Sequence, residues 1–280
     1  MPVSSSVDGQ RTGADDDAGS RPEGPALPIN ELFTSLQGEG TLAGVPSTFV
    51  RTSGCNLRCW FCDSYHTSWE PTGAWYGVDE ILDEIDARGP NHVVFTGGEP
   101  LIHDASTTLL RELDDRGYHV TVETNGTILP EDDDGPVPVD LASVSPKLAS
   151  STPGPERPPS GGGDGGDGAE NVDAETWAER HEARRLDLDA LATLVDRYET
   201  QLKFVVTGPD DLPEIESLVA DVREAATAEV RDTDVLLMPE GQTREELEST
   251  RRVVADLALE HGYRYTPRLH VDLWNDAPNT

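Results

Sequence analysis

The sequence contains few basic residues and almost no lysine. Its 280 residues include 54 acidic and 21 basic side chains, which is a formal net charge of −33. Only two of the basic residues are lysines, Lys147 and Lys203. A surface of this charge repels phosphates and anionic lipids, so we expect no direct binding to nucleic acid or membranes. Acid-rich, lysine-poor surfaces suit concentrated salt, where screening reduces self-repulsion. The composition therefore predicts a halophilic protein in which the remaining lysines have specific roles.

Long apolar segments are also missing. No run approaches the ~20 residues of a membrane-spanning helix. Residues 1–28 are polar and acidic and lack the apolar centre of a secretory signal. We therefore predict a cytoplasmic protein in which residues 1–27 form a disordered acidic tail and residues 28–280 form one domain.

An internal stretch lacks apolar side chains altogether. Residues 150–168 contain seven glycines and four prolines, and such a segment cannot bury enough surface to offset the entropy lost on ordering. The segments on both sides continue the same pattern of strands and helices. We therefore predict a disordered insertion at about residues 150–172 within the domain, rather than a domain boundary.

The rest of the chain alternates between strand-like and helix-like runs. The predicted strands are residues 29–37, 47–52, 92–96, 118–124, 141–145, 201–207, 234–238 and 268–273. The predicted helices are residues 78–88, 105–116, 186–198, 212–226 and 244–261. Thr243 with Glu246 forms a capping box for the last helix, and Gly262 is a stop signal. This alternation predicts an α/β fold with a parallel sheet, in which ligands bind at the carboxyl ends of strands.

Cysteine is scarce, and its placement is informative. The three cysteines, Cys55, Cys59 and Cys62, form a C-x3-C-x2-C run directly after a predicted strand. An odd, closely spaced set is not a disulfide framework, and such thiols are more often metal ligands or redox groups. A structural zinc site needs four ligands, so His66 would have to complete a Cys3His site. A [4Fe–4S] cluster on three thiolates would instead leave one iron open to another molecule. Both alternatives fit the residues.

The cysteine run, with Phe61 before its last member, resembles the signature of the radical S-adenosylmethionine superfamily. Residues 96–100 (TGGEP) follow a predicted strand and are similar to the GGEP element of that superfamily. The resemblance implies a [4Fe–4S] cluster on Cys55, Cys59 and Cys62 that binds S-adenosylmethionine and cleaves it to a 5′-deoxyadenosyl radical. It also implies a partial, open TIM-like barrel of parallel strands with outer helices, and an electron-donor protein of flavodoxin or ferredoxin type.

Further segments narrow the resemblance to one family, the 7-carboxy-7-deazaguanine synthases. They are residues 36–40 (LQGEG), 49–54, 63–64, 122–127, 145–147, 201–206 and 237–241. The resemblance covers roughly residues 29–275 apart from the insertion. It implies a carbon–nitrogen lyase that converts 6-carboxy-5,6,7,8-tetrahydropterin to 7-carboxy-7-deazaguanine and ammonia. It further implies a homodimer whose product feeds archaeosine or queuosine, two modified tRNA bases.

The same resemblance implies a role for each matching residue. The pterin substrate would contact Leu36, Gln37, Gly38, Glu39, Arg51 and Thr96. S-adenosylmethionine would contact Phe61, Cys62, Asp63, Gly98, Glu99, Ser145, Pro146, Lys147, Met238, Pro239, Glu240 and Gly241. Arg51 would pair with the substrate carboxylate, a task that suits a guanidinium fork. Ser64, where the family usually has threonine, would bind Mg²⁺.

Two other functions share some of these features. An activase for a glycyl-radical enzyme belongs to the same superfamily but would lack the LQGEG segment. A non-catalytic zinc-binding module would share the thiols and would hold zinc instead of iron.

Overall fold

The computed structural model describes residues 21–157, 174–275 and 277. Residues 1–20 of the predicted tail and 158–172 of the predicted insertion lie outside this part of the chain. The described strands are β1 (Ala26–Leu36), β2 (Pro46–Thr52), β3 (Ala74–Gly77), β4 (His92–Gly97), β5 (His119–Thr124), β6 (Glu131–Asp132), β7 (Gly135–Pro136), β8 (Leu141–Val144), β9 (Thr200–Val206), β10 (Val235–Pro239) and β11 (Arg264–Tyr265). The described α-helices are α1 (Tyr65–Ser68), α2 (Val78–Asp86), α3 (Ala105–Asp115), α4 (Ala174–Glu182), α5 (Leu188–Arg197), α6 (Leu212–Ala225), α7 (Arg244–His261) and α8 (Leu269–Trp274).

Nine strands form one sheet in the order β11-β10-β9-β8-β5-β4-β2-β1-β3. The pairs from β2 to β11 are parallel, whereas β1 is antiparallel to both β2 and β3. The short connection from β1 to β2 explains this reversal, because a parallel pair needs a longer crossover. The two end strands are not paired with each other, so the sheet is open. The predicted open, mostly parallel α/β architecture is confirmed.

Two apolar clusters hold helices against the outer face of the sheet. One packs α2 and α3 against β1, β2, β4 and β5, and the other packs α5, α6 and α7 against β8, β9 and β10. Helix α2 shows how the sequence produces this packing, because Val78, Ile81, Leu82 and Ile85 fall on one helical face and are all buried. The predicted capping box begins α7, and Gly262 ends it with a φ of 73°. No described helix has both the length and the apolar character needed to cross a membrane.

The inner face of the sheet carries a row of polar side chains. We call the following set the polar row: Arg51, Thr96, Glu123, Ser143 and Gln201. Register pairs Arg51 with Thr96 and Glu123 with Ser143. A hydrogen bond of 2.9 Å from Thr96 Oγ1 to Glu123 Oε2 joins the two pairs. Because side chains alternate along a strand, the sheet presents an apolar face to the helices, and its inner face carries the polar row together with a small apolar cluster of Phe33, Phe49 and Val94.

The prediction of a strand at residues 268–273 is wrong, because these residues mostly form helix α8. Leu269, Val271 and Leu273 alternate with polar residues, which favoured a strand. Of these three apolar residues only Val271 is buried in the structure, and Leu273 is 46% exposed. The amide of Leu269 donates to the carbonyl of Gly38 at 2.8 Å, so the segment folds over the inner face instead of extending the sheet. An alternation of apolar and polar residues over only six positions cannot distinguish a strand from a short helix.

Two predicted boundaries also differ from the structure. Ala26 and Leu27, placed in the tail, are buried in β1. Residues 150–157, placed in the insertion, include Ser151, which is 1% exposed. Trp60 Nε1 donates to the carbonyl of Ser150 at 2.7 Å. Composition missed this segment because hydrogen bonds, rather than apolar side chains, hold it in place.

Candidate active site

The three cysteines lie in one loop, residues 53–62, that leaves the carboxyl end of β2. We call it the cysteine loop. Cys59 is buried, and Cys55 and Cys62 are partly buried. Burial raises the pKa of all three thiols, that of Cys59 to about 12. Neighbouring thiols raise the pKa of Cys55 and Cys59 further, and the Asp63 carboxylate raises that of Cys62. Close thiols that resist ionisation need a bound cation to become thiolates.

The donor set distinguishes an iron–sulfur cluster from zinc. Within the described ranges, no three His, Cys, Asp or Glu side chains converge tightly enough to hold a single metal ion. His66, the residue needed for a Cys3His zinc site, is exposed on α1. Thiolates on a four-iron cluster each bind a different iron and so need not converge on one point. The loop therefore fits the cluster better than it fits zinc.

The TGGEP segment, residues 96–100, lies directly against the cysteine loop, and we call it the glycine loop. A Cβ atom on Gly98 would lie 2.3 Å from the carbonyl oxygen of Gly54 and 2.7 Å from Cys55 Cβ. Gly97 has a φ of 152°, and a Cβ there would lie 2.3 Å from Thr52 Oγ1. Only glycine allows this approach, which brings the backbone of the TGGEP segment beside the cluster site.

Glu99 is fully buried, and protein donors surround its carboxylate. It accepts hydrogen bonds from the amide of Asn125 at 2.7 Å, from Thr124 Oγ1 at 2.9 Å and from the amide of Leu101 at 3.2 Å. Burial raises the pKa of Glu99 to about 7, although these bonds oppose the rise. Asn125 Nδ2 also donates to Asn56 Oδ1 in the cysteine loop at 2.8 Å. The Glu99 carboxylate therefore joins the TGGEP segment to the end of β5, and Asn125 continues the link to the cysteine loop.

Two further strand ends approach the cysteine loop. After β8, Lys147 Nζ donates to the Ser145 carbonyl at 2.8 Å and to Ser145 Oγ at 2.7 Å. Its positive charge also acts on Cys59, whose pKa it lowers against the effect of burial. After β10, Gln242 Nε2 donates to the carbonyl of Phe61 at 3.4 Å. Residues 145–147 and 238–241 therefore lie on the same side of the sheet as the thiols.

The LQGEG segment reaches the polar row through its side chains. Gln37 is 4% exposed, and its Nε2 donates to Glu123 Oε1 at 3.1 Å. Gln37 Oε1 accepts from the amide of Glu39 at 3.2 Å. A Cβ on Gly38 would lie 2.0 Å from Nδ1 of His270, so any larger residue would have to displace this ring where α8 packs on the loop.

Four charged side chains form an ionic cluster, which consists of Glu39, Asp63, Lys203 and Arg268. Lys203 and Arg268 are buried and Glu39 is largely buried, whereas the Asp63 side chain is 48% exposed. Lys203 Nζ lies 2.5 Å from Glu39 Oε2, and Arg268 Nε lies 3.2 Å from Glu39 Oε1. Arg268 also donates to Asp63 and, at 2.6 Å, to the carbonyl of Gly241. Burial by itself would raise the pKa of Glu39, but Lys203 and Arg268 outweigh it and hold that pKa well below its usual range. Glu39 is therefore a fixed carboxylate.

Arg51 and Ser64 lie beside this cluster. Arg51 Nε is 2.8 Å from Glu31 Oε2, and Arg51 Nη1 donates to Ser64 Oγ at 2.7 Å. Ser64 Oγ in turn lies 3.3 Å from Asp63 Oδ1. Ser64 is at the N-cap of α1, but its side chain makes no capping hydrogen bond. Its hydroxyl therefore faces charged groups of the site rather than the helix.

Comparison with known proteins agrees with this geometry. The model of the radical SAM superfamily matches residues 49–134. A 7-carboxy-7-deazaguanine synthase from Halobacterium salinarum is 59% identical over 281 residues, which cover 100% of both chains. The chain belongs to the 7-carboxy-7-deazaguanine synthase family. A member from Rhodopirellula baltica is 39% identical over 91% of this chain and 89% of that protein. The fold resembles the crystal structure of QueE from Escherichia coli, with a TM-score of 0.59 and 24% identity over 88% of this chain and 95% of that one.

The structure brings the residues predicted from the family's motifs to one side of the sheet. It adds four that were not assigned to the site: Glu123, Lys203, Arg268 and His270. The scarcity of lysine pointed to Lys203, and Glu123 lies within a segment that resembles the family. Arg268 and His270 were missed because their segment was predicted to be a strand.

Proposed function

We propose that this chain converts 6-carboxy-5,6,7,8-tetrahydropterin to 7-carboxy-7-deazaguanine and ammonia, as a carbon–nitrogen lyase. The observation that carries the proposal is 59% identity over the full length of a 7-carboxy-7-deazaguanine synthase. The neighbouring cysteine loop, glycine loop and ionic cluster support it, because the reaction needs an iron–sulfur cluster, a nucleoside cofactor and an anchored polar substrate in one place.

The cofactor side of the proposed site is built around the thiols. Cys55, Cys59 and Cys62 would hold a [4Fe–4S] cluster, and Gly98 would let the backbone approach S-adenosylmethionine. The remaining proposed contacts to this cofactor are Phe61, Asp63, Glu99, Ser145, Pro146, Lys147, Met238, Pro239, Glu240 and Gly241. When bound, the two cofactors together supply a 5′-deoxyadenosyl radical. The partly buried glycine and cysteine loops would limit the access of water to it.

The substrate side would use the LQGEG segment and the polar row. Glu39, held ionised, would accept hydrogen bonds from N–H groups of the pterin without a change in its own protonation. Gln37 and Thr96 would add polar contacts, and Leu36 and Gly38 would shape the pocket. Arg51 would give up its ion pair with Glu31 and its hydrogen bond to Ser64 and would bind the substrate carboxylate instead.

Mg²⁺ would bind at Ser64. The chemistry of the donors fits, because a hydroxyl next to the Asp63 carboxylate offers the hard oxygens that Mg²⁺ prefers. In the structure Arg51 donates a hydrogen bond to the Ser64 hydroxyl. Arg51 would leave this hydroxyl when it binds the substrate carboxylate, so the metal would bind together with the substrate. The ion would orient the substrate carboxylate and offset its charge.

We also propose a working environment and partners. The net charge of −33 supports a cytoplasm of high salt. Family resemblance supports a homodimer, an electron donor of flavodoxin or ferredoxin type, and a product used for archaeosine or queuosine. Neither alternative function is favoured, because the LQGEG segment is present and engaged, and His66 is exposed.

The test is anaerobic reconstitution with iron and sulfide, followed by assay with the tetrahydropterin. Wild-type protein should bind about four irons per chain and release ammonia. Cys59→Ala should form no 5′-deoxyadenosine, whereas an exposed control such as Arg231→Ala should be unaffected. Full turnover by Cys59→Ala would contradict the proposal. Zinc without the visible absorbance of an iron–sulfur cluster would favour the binding module.

A further inference from the structure

A buried histidine on α4 connects this helix to the cysteine loop. His181 is 1% exposed, whereas its neighbours Arg180 and Glu182 are exposed. The helix follows the glycine-rich stretch, and none of the family motifs includes it. The other described side chains of α4 are half-buried or exposed. A buried polar ring must find partners inside the protein, so the contacts of His181 show what the helix does.

The contacts of His181 define the protonation of its ring. The backbone amide of Arg58, which lies between Cys55 and Cys59, is 3.1 Å from Nδ1. An amide can only donate, so Nδ1 accepts and the neutral ring carries its proton on Nε2. Nε2 is 2.8 Å from Ser151 Oγ and donates to it. The Ser151 hydroxyl in turn donates a hydrogen bond to the carbonyl of Leu148 at 2.6 Å.

Ser151 brings the same network to a second position of the cysteine loop. Its carbonyl accepts from the amide of Trp60 at 3.1 Å. His181 and Ser151 therefore contact the backbone amides of Arg58 and Trp60, the two residues on either side of Cys59.

A second contact supports the same side of the loop. The guanidinium of Arg58 lies 4.5 Å from the centre of the Trp177 ring, one turn before His181 on α4. It also donates to the carbonyls of Cys55 and Leu57 at 2.7 and 2.8 Å. The helix thus holds both the backbone and the side chain of Arg58.

We propose that His181 and Ser151 are positioning residues that hold the cysteine loop in the conformation that binds the cluster. This inference rests on the proposed function, because it takes the three thiols as cluster ligands. Residues that orient metal ligands typically change metal affinity by about 10- to 100-fold when they are replaced. Hydrogen bonds near a ligand sulfur also influence the reduction potential of an iron–sulfur cluster.

The test compares iron retention in reconstituted full-length variants challenged with a chelator. His181→Phe removes both hydrogen bonds and should weaken iron retention by about 10- to 100-fold. His181→Asn places an oxygen near the position of Nδ1 and should restore much of the retention. Ser151→Ala should weaken retention less and change the reduction potential of the cluster, which a purely structural role would not do.

His92→Phe is the matched control. His92 is also buried and hydrogen-bonded on both nitrogens, to Ser47 and Thr121, but it lies at the amino end of β4. Melting temperatures are measured in parallel. Loss of iron by His181→Phe, but not by His92→Phe at a similar melting temperature, would support the proposal.

Three results would contradict it. Provided that wild-type protein binds its cluster, iron retention by His181→Phe at the wild-type level would overturn the positioning role. Equal loss of iron by His181→Phe and His92→Phe would overturn it as well. If His181→Phe does not fold, unchanged retention and potential in Ser151→Ala would overturn it. Failure of wild-type protein to bind iron would instead overturn the proposed function.

Discussion

Replacing Lys203 by methionine would remove one of the two cations that neutralise Glu39 inside the protein. Lys203 is 4% exposed, and its Nζ lies 2.5 Å from Glu39 Oε2 and 3.9 Å from Glu123 Oε1. Methionine keeps most of the side-chain volume, so the change removes charge and hydrogen bonds rather than packing. Glu39 would keep Arg268, at 3.2 Å, as its remaining cationic partner.

The expected loss of stability follows from the uncompensated charge. Removing one partner of a buried ion pair typically costs about 3–5 kcal/mol. Because Arg268 still faces Glu39, we expect a value near the lower end, about 3 kcal/mol. In a domain of this size each kcal/mol lowers the melting temperature by about 2–4 °C, so the fall should be on the order of 10 °C.

The assay is urea denaturation of Lys203→Met, Glu39→Gln and the double variant at one KCl concentration. The double variant should be less destabilised than the sum of the single variants, with a coupling energy of about 1–3 kcal/mol. Arg231→Met, which breaks an exposed pair with Asp234, should leave the midpoint nearly unchanged. A wild-type midpoint for Lys203→Met, or strict additivity, would refute the reasoning.

Three other predictions can be tested independently. Ser64→Ala should lower the turnover rate and its stimulation by Mg²⁺ while iron content persists, and Ser64→Thr should be near neutral; a wild-type Mg²⁺ response in Ser64→Ala would remove the metal role. Molar KCl should raise the melting temperature, because 54 acidic residues face 21 basic ones, and a flat or falling melting temperature would argue against a halophilic surface. Burial lowers the pKa of His92 from 6.5 to about 4. As the pH falls, His92 is therefore protonated in the unfolded chain before it is protonated in the folded protein. The free energy of unfolding should decrease by up to about 3 kcal/mol between pH 6.5 and 4. His92→Gln should have a shallower pH dependence in this range, and an unchanged slope would contradict the assignment.

Local sequence determined the elements and the chemical groups of the site. Apolar periodicity predicted helices such as α2 and α7 because each buries one face, and the capping signals of α7 act within a few residues. The cysteine run and the TGGEP segment are also local, since neighbours in the chain supply both the ligands and the close backbone approach. For the same reason the family resemblance could be read from short segments in order.

Tertiary structure alone decided how these groups are paired. Arg268 bonds Glu39 across 229 residues and Asp63 across 205, and His181 reaches Arg58 across 123. Such contacts depend on strand order, on the reversal of β1 and on the folding of α8 over the inner face. Periodicity within a segment reports which side of that segment is buried, but not which distant segment covers it. The ionic cluster and the contacts of His181 with the cysteine loop could therefore not be predicted from the sequence. The residues that form them lie in distant segments, and only the folded sheet brings them together and buries them.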